Sequence, residues 1–66
     1  MITEVIGANI RRRRDELKLS QEELAFRAKV DRSYLAEVEK GKINISILKL
    51  EQIAKALDIN LEELIK

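Results

Sequence analysis

The chain has no cysteine, histidine, proline or tryptophan. Without cysteine there is no disulfide, no thiolate metal site and no thiol chemistry. Without histidine the commonest metal ligand and general base are gone. No phosphate-binding glycine loop or metal-ligand cluster stands in their place, and the carboxylates fall on helix caps and outer faces. An enzyme is therefore the least supported class, and neither a cofactor nor a small-molecule ligand is expected. Two glycines and no proline argue against disorder and against an all-β fold. Phe26 and Tyr34 are the only aromatics. No stretch approaches the roughly 18 apolar residues that a membrane span needs. The N-terminus has no signal-like apolar segment, so the expected location is cytoplasmic.

What is present is aliphatic and charged. Apolar residues make up 45% of the 66, and almost all are Ile, Leu, Val or Ala. This length predicts one domain over 1–66, with a small helical core. Net charge is +1. Residues 1–33 carry eight basic and six acidic groups, and residues 34–66 carry five and six. So weak an asymmetry means that any nucleic-acid binding must come from placed contacts, not bulk charge.

The stretch 20–41, SQEELAFRAKVDRSYLAEVEKG, organises the chain. Ser20 with Glu23 three residues on makes a capping box. Leu24, Ala25 and Ala28 supply an apolar face for a helix over 21–28. The pattern breaks at Lys29-Val30, and Asp31 offers a second N-cap for a helix over 32–39. There Leu35 and Val38 face inward, and Gly41 suits a left-handed stop. Helices this short cannot stand alone. The second shows Arg32, Ser33, Tyr34 and Glu37 on its other side, a polar surface of the kind a DNA major groove admits.

The rest of the chain reads as support. Residues 3–18 form a helix capped by Thr3, with Ile6, Ile10 and Leu17 as its stripe, Val5 nearby, and Leu19 closing it onto the next. Its run Arg11–Arg14 fans over about 300°, so Arg12 and Arg13 read as solvated. Residues 42–46 form a loop ending in the cap Ser46. Leu50, Ile53, Ala54 and Leu57 mark a fourth helix over roughly 47–57. Asn60 and Glu63 are a further cap-and-box pair opening a fifth helix that buries Leu61, Leu64 and Ile65.

These pieces in this order resemble the Cro/phage-repressor-type helix-turn-helix domain, the xenobiotic-response-element family. The resemblance rests on Ile6-Gly7 with Ile10-Arg11 and Arg14, Ser20 to Ala25, Ala28 with Val30, Tyr34-Leu35, Glu39 with Gly41, and Ala54 to Leu57. It covers nearly the whole chain. Within the family, the run Asp31 to Tyr34 most resembles the small controller proteins of restriction–modification genes. The implied fold is all-α: a compact five-helix bundle of the lambda-repressor-like DNA-binding type, with helices two and three as the helix-turn-helix.

The resemblance also implies roles. Gln21 opens helix two, where the family contacts a DNA phosphate, and Ser20 sits beside it. Helix three becomes the recognition helix, with Arg32, Ser33, Tyr34 and Glu37 toward the bases. Arg32 is the foremost candidate, since its fork pairs bidentately with guanine. Lys40, Lys42, Asn44 and Ser46 flank the DNA backbone, where contacts position the protein without reading sequence. Arg14 and Glu39 stand where the family places an ion pair, which would set the angle of helix three. On that basis Arg14→Leu is expected to weaken DNA binding more than folding. The chain departs from the family where Gly is commoner than Lys29 or Asp58, where Pro is commoner than Ile45, and where Phe26 takes a usually polar outer position.

Ile43, Ile45, Ile47, Leu48, Ile59 and Leu61 exceed what the stripe of helix four can bury. They point to a two-fold homodimer through helices four and five, with Ile45, Leu48, Ile59 and Leu61 at the interface. The leading function is a sequence-specific double-stranded DNA-binding regulator. The alternative is a protein-interaction module, such as an antitoxin, on a helix-turn-helix scaffold.

Overall fold

The computed structural model describes all of residues 1–66. It contains four α-helices and one turn of 3₁₀ helix. They are α1 (Ile2–Glu16), α2 (Gln21–Ala28), α3 (Arg32–Glu39), α4 (Ile47–Ala56) and the 3₁₀ turn Leu61–Leu64. The fold is all-α, but the fifth helix is not an α-helix. The expected Asn60–Glu63 box stands at its start, with the Asn60 N–H donating to the Glu63 carboxylate at 3.3 Å. Four residues are too few to build an α-helical ladder. Leu64 is buried there, Leu61 half-buried and Ile65 exposed.

The caps that formed are local. The Glu23 N–H donates to Ser20 Oγ at 3.0 Å, and the Ser20 N–H donates to Glu23 Oε1 at 2.8 Å. The Lys49 N–H donates to Ser46 Oγ at 3.2 Å. Two expected caps differ. α1 starts at Met1, leaving Thr3 inside the first turn. Asp31 sits at the α3 N-cap, but its carboxylate accepts from the Ser33 hydroxyl at 2.8 Å instead of from a backbone N–H.

All four helices end alike, with a left-handed residue and a pair of reversed backbone hydrogen bonds. At α2, the Lys29 N–H reaches the Phe26 carbonyl and the Val30 N–H reaches that of Ala25. This satisfies carbonyls that a helix end would leave unpaired. The left-handed residues are Lys18, Lys29, Gly41 and Asp58, at φ 58°, 59°, 75° and 57°. Lys29 thus adopts the conformation that the family more often gives to glycine.

α1 packs on α3, and α2 packs on both α3 and α4. The 3₁₀ turn closes the base against α1 and α4. The core holds Ile6, Ile10, Leu19, Leu24, Ala25, Ala28, Leu35, Val38, Leu50, Ile53, Ala54, Leu57 and Leu64. Two members of the expected α1 stripe lie outside it. Val5 is 37% exposed and Leu17 38%. The face of α1 turned inward is Ile6, Gly7, Asn9 and Ile10. Asn9 is buried because its amide donates to the Leu64 carbonyl at 2.9 Å and to that of Lys66 at 3.1 Å. Arg13 is only half solvated. Its Nε donates to the Leu57 carbonyl at 3.1 Å, covering the end of α4.

Candidate nucleic-acid interface

α3 is held by its buried residues Leu35 and Val38. Its opposite side carries Ser33, Ala36, Glu37 and Lys40, with Arg32 at the N-terminal edge. Arg32 and Ser33 are exposed. The Arg32 guanidinium enters no ion pair of the fold, so its five donors are available. The Ser33 hydroxyl is turned back onto Asp31. Tyr34 is half-buried against the core, and Lys49 Nζ lies 5.3 Å from its ring centroid. A cation over a phenol face is held by the ring quadrupole, so Lys49 occupies one face of Tyr34. Glu37 lies 3.5 Å from Lys40 Nζ across one exposed turn.

Three helix ends meet beside this surface. Arg14 Nε donates to Glu39 Oε2 at 2.9 Å and Nη2 to Oε1 at 3.0 Å, while Nη1 donates to the Leu19 carbonyl at 2.9 Å. Gln21 Nε2 donates to the same Glu39 Oε1 at 3.2 Å. One carboxylate therefore ties the start of α2, the end of α3 and the last turn of α1. The Glu39 side chain is 4% exposed and that of Arg14 13%. Hydrogen bonding to Glu39 raises the Arg14 pKa above its already high ordinary value, against the opposing effect of burial, so the guanidinium stays charged. A pair this dry orients more than it stabilises, since desolvation offsets most of its attraction.

Of the remaining expected DNA-backbone residues, Ser20 uses its hydroxyl as the α2 cap and Ser46 as the α4 cap. Lys40, Lys42 and Asn44 are exposed. Phe26 is 84% exposed, on the outer face of α2. The expected dimer residues divide. Ile45, Ile59 and Leu61 are half-buried against the core, as is Ile43. Leu48 is 73% exposed, beside Ile47 at 68%. Leu48, Ile59 and Leu61 line one open groove between α4 and the 3₁₀ turn.

Gly7, Asn9 and Arg13 carried no role in the sequence, although each makes a contact that sets the frame. Gly7 alone left a signal, as a glycine amid good helix formers. No three metal-binding side chains converge, and no helix is long and apolar enough to cross a membrane.

Comparison with known proteins follows the same lines. The helix-turn-helix family model matches residues 10–64. Control protein C.MunI of a Mycoplasma species is 42% identical over 52 residues, covering 79% of this chain and 70% of that protein. The immunity repressor protein of Bacillus phage phi105 is 40% identical over 60 residues. That match covers 91% of this chain and 42% of the repressor. Among solved structures, the restriction–modification controller protein C.AhdI from Aeromonas hydrophila superposes with a TM-score of 0.91 at 42% identity, covering 94% of each chain.

Proposed function

The chain belongs to the helix-turn-helix family, and on that footing we propose that it is a transcriptional regulator that binds double-stranded DNA sequence-specifically. In this reading residues 1–66 are one DNA-binding domain with its helix-turn-helix at 20–41. α3 enters the major groove, with Arg32 and Ser33 reading base edges and Glu37 one turn further along. Tyr34, half-buried beside them, is the fourth residue toward the bases. Ser20, Gln21, Lys40, Lys42, Asn44 and Ser46 meet the DNA backbone.

The observation that carries this reading is the Glu39 junction. A polar helix face could be mere surface. A dry, bidentate Arg14–Glu39 pair that also holds Gln21 fixes that face relative to the start of α2. Rigid placement of a readout helix against a backbone anchor is what register on a duplex requires.

One such helix reads few base pairs. Two copies, paired through Leu48 and the groove of Ile59 and Leu61, with Ile45 at its margin, would present two recognition helices to half-sites about one helical turn apart. Exposed Leu48 and Ile47 support this pairing. The likeness to two controller proteins supports a role in restriction–modification gene control.

The test is selection of bound duplexes from a random pool, followed by titration of the winner at several salt concentrations. The expected result is a two-fold symmetric site, steep weakening with salt, and a large gap over random sequence. Recovery of no preferred sequence, with salt-indifferent binding, would sink the proposal and favour a protein-interaction module.

A further inference from the structure

Gly7, Arg11 and Arg14 fall at i, i+4 and i+7, on the face of α1 that meets α3. Gly7 brings the helix against the last carbonyls of α3. Arg14 closes the Glu39 junction about two turns further on. Arg11 lies between them and, unlike its neighbours Arg13 and Arg14, enters no ion pair and caps no helix. It is exposed. A concave space opens beside it, lined by Arg11, Arg14, Gln21, Ala36, Glu39 and Lys40.

The chemistry of this space is one-sided. The Glu39 charge is taken up by Arg14, so the floor is neutral as a pair. Around the rim lie the unpaired Arg11 guanidinium, the Gln21 amide and the Lys40 ammonium, which the exposed Glu37 carboxylate approaches to 3.5 Å. Glu39 accepts one hydrogen of the Gln21 Nε2 group. That leaves its second N–H unclaimed by the fold, on a side chain that lines the space. Ala36, with only a methyl, keeps the mouth open toward the outer face of α3. The free Arg11 charge, a Gln21 N–H and Lys40, whose exposed pairing with Glu37 is weak and easily exchanged, make a seat for a monoanion with several oxygens. Its position flanks the helix that enters the DNA groove.

We propose that Arg11, Gln21 and Lys40 together hold a single backbone phosphate of the bound DNA. Arg11 supplies the charge that the fold leaves free, and Glu39 acts as a positioning residue for the Gln21 amide. This rests on the DNA-binding reading above. A phosphate contact carries no sequence information, so its loss weakens specific and random duplexes alike.

The experiment measures salt-dependent binding of the full chain and its variants to the selected duplex and to a random one. Arg11→Met is expected to weaken both by a similar factor, about tenfold near 0.1 M salt, and to lower the salt slope by about 0.9. Arg11→Lys keeps the charge and should keep the slope. Arg12→Met, one position away on another face, should leave affinity and slope near wild type. A scan of single methylphosphonate substitutions then locates the phosphate. The one whose neutralisation no longer weakens Arg11→Met should be the same one that no longer weakens Gln21→Ala. An unchanged slope in Arg11→Met, an equal loss in Arg12→Met, or two different phosphates for Arg11 and Gln21 overturns the shared seat. Absence of any salt-dependent duplex binding by the wild type overturns the DNA-binding reading itself, which is a separate outcome.

Discussion

Gly7 and Val38 meet backbone to backbone. A Cβ on residue 7 would lie 2.5 Å from the Val38 carbonyl oxygen and 2.6 Å from that of Glu39. Neither oxygen belongs to a flexible side chain, so α1 would have to move off the end of α3. In an exposed helix, Gly→Ala gains about 0.5–1 kcal/mol. Here the sign reverses. Gly7→Ala is expected to destabilise by about 2 kcal/mol through overpacking. A chain of this size would then lose roughly 8–16 °C in Tm, measured by thermal denaturation.

Arg14→Leu would leave the Glu39 carboxylate at 4% exposure with only Gln21 as a donor. Removing one partner of a pair this dry costs about 3 kcal/mol of folding stability. The single variant therefore loses fold as well as DNA affinity, which the sequence alone did not anticipate. The double variant Arg14→Leu/Glu39→Leu should recover most of the stability and still bind DNA more weakly than wild type. Chemical denaturation and duplex titration on both variants give the two numbers. Recovery of DNA binding along with stability would show that the pair does not orient α3.

Lys18 and Lys29 sit left-handed at φ 58° and 59°. A Cβ in that conformation costs on the order of 1 kcal/mol. Lys18→Gly and Lys29→Gly should each raise stability by about 0.5–1 kcal/mol after the added freedom of the unfolded chain is counted. Asp58→Gly should gain less, because Asp tolerates this region better. Urea midpoints with unchanged slopes would show it.

The Ser20 N–H, and secondarily its hydroxyl, hold the Glu23 carboxyl below its ordinary pKa. A folded value below the unfolded one means that the ionised cap contributes stability above the unfolded pKa. That contribution is lost as pH falls through the folded value. The Tm gap between wild type and Glu23→Gln should therefore be constant above about pH 5 and close below about pH 4. A gap that widens in acid would contradict the assignment.

Arg32→Ala should cost about 1–3 kcal/mol in specific binding and relax preference at one position per half-site. Affinity for random duplex should fall much less. Stability should stay within about 0.5 kcal/mol, since the side chain is exposed and unpaired.

Local physics was legible, and contacts between elements were not, apart from the Arg14–Glu39 pair that the family resemblance implied. The Ser20–Glu23 box, the Ser46 cap, the Leu50-Ile53-Ala54-Leu57 stripe and the left-handed stop at Gly41 depend on residues three to five apart. Their spacing shows in the chain itself. Ile65, Val5 and Leu17 have the right residue type but lie past the reach of the packed faces. The fifth helix failed for the same reason that its turn survives. Leu64 has a slot to fill between α1 and α4, but four residues cannot carry a helix.

Adjacent arginines show the boundary most clearly. Arg11, Arg12, Arg13 and Arg14 are chemically identical and consecutive, so nothing in the sequence alone ranks them beyond the family's habit of pairing position 14. The 100° step of the helix sends each to a different neighbour. Arg14 meets Glu39, Arg13 meets the end of α4, Arg12 meets solvent, and Arg11 faces the space beside Gln21. By itself the sequence determined the four α-helices, the Ser20 and Ser46 caps, an aliphatic core and two short helices within 20–41, because periodicity and capping act within a turn or two. Tertiary structure alone decided that Arg13 covers the end of α4 while Arg11 stays free, why residue 7 must be glycine, and what Asn9 holds. Those outcomes depend on the angle and distance at which α1 crosses the others, which no local pattern encodes.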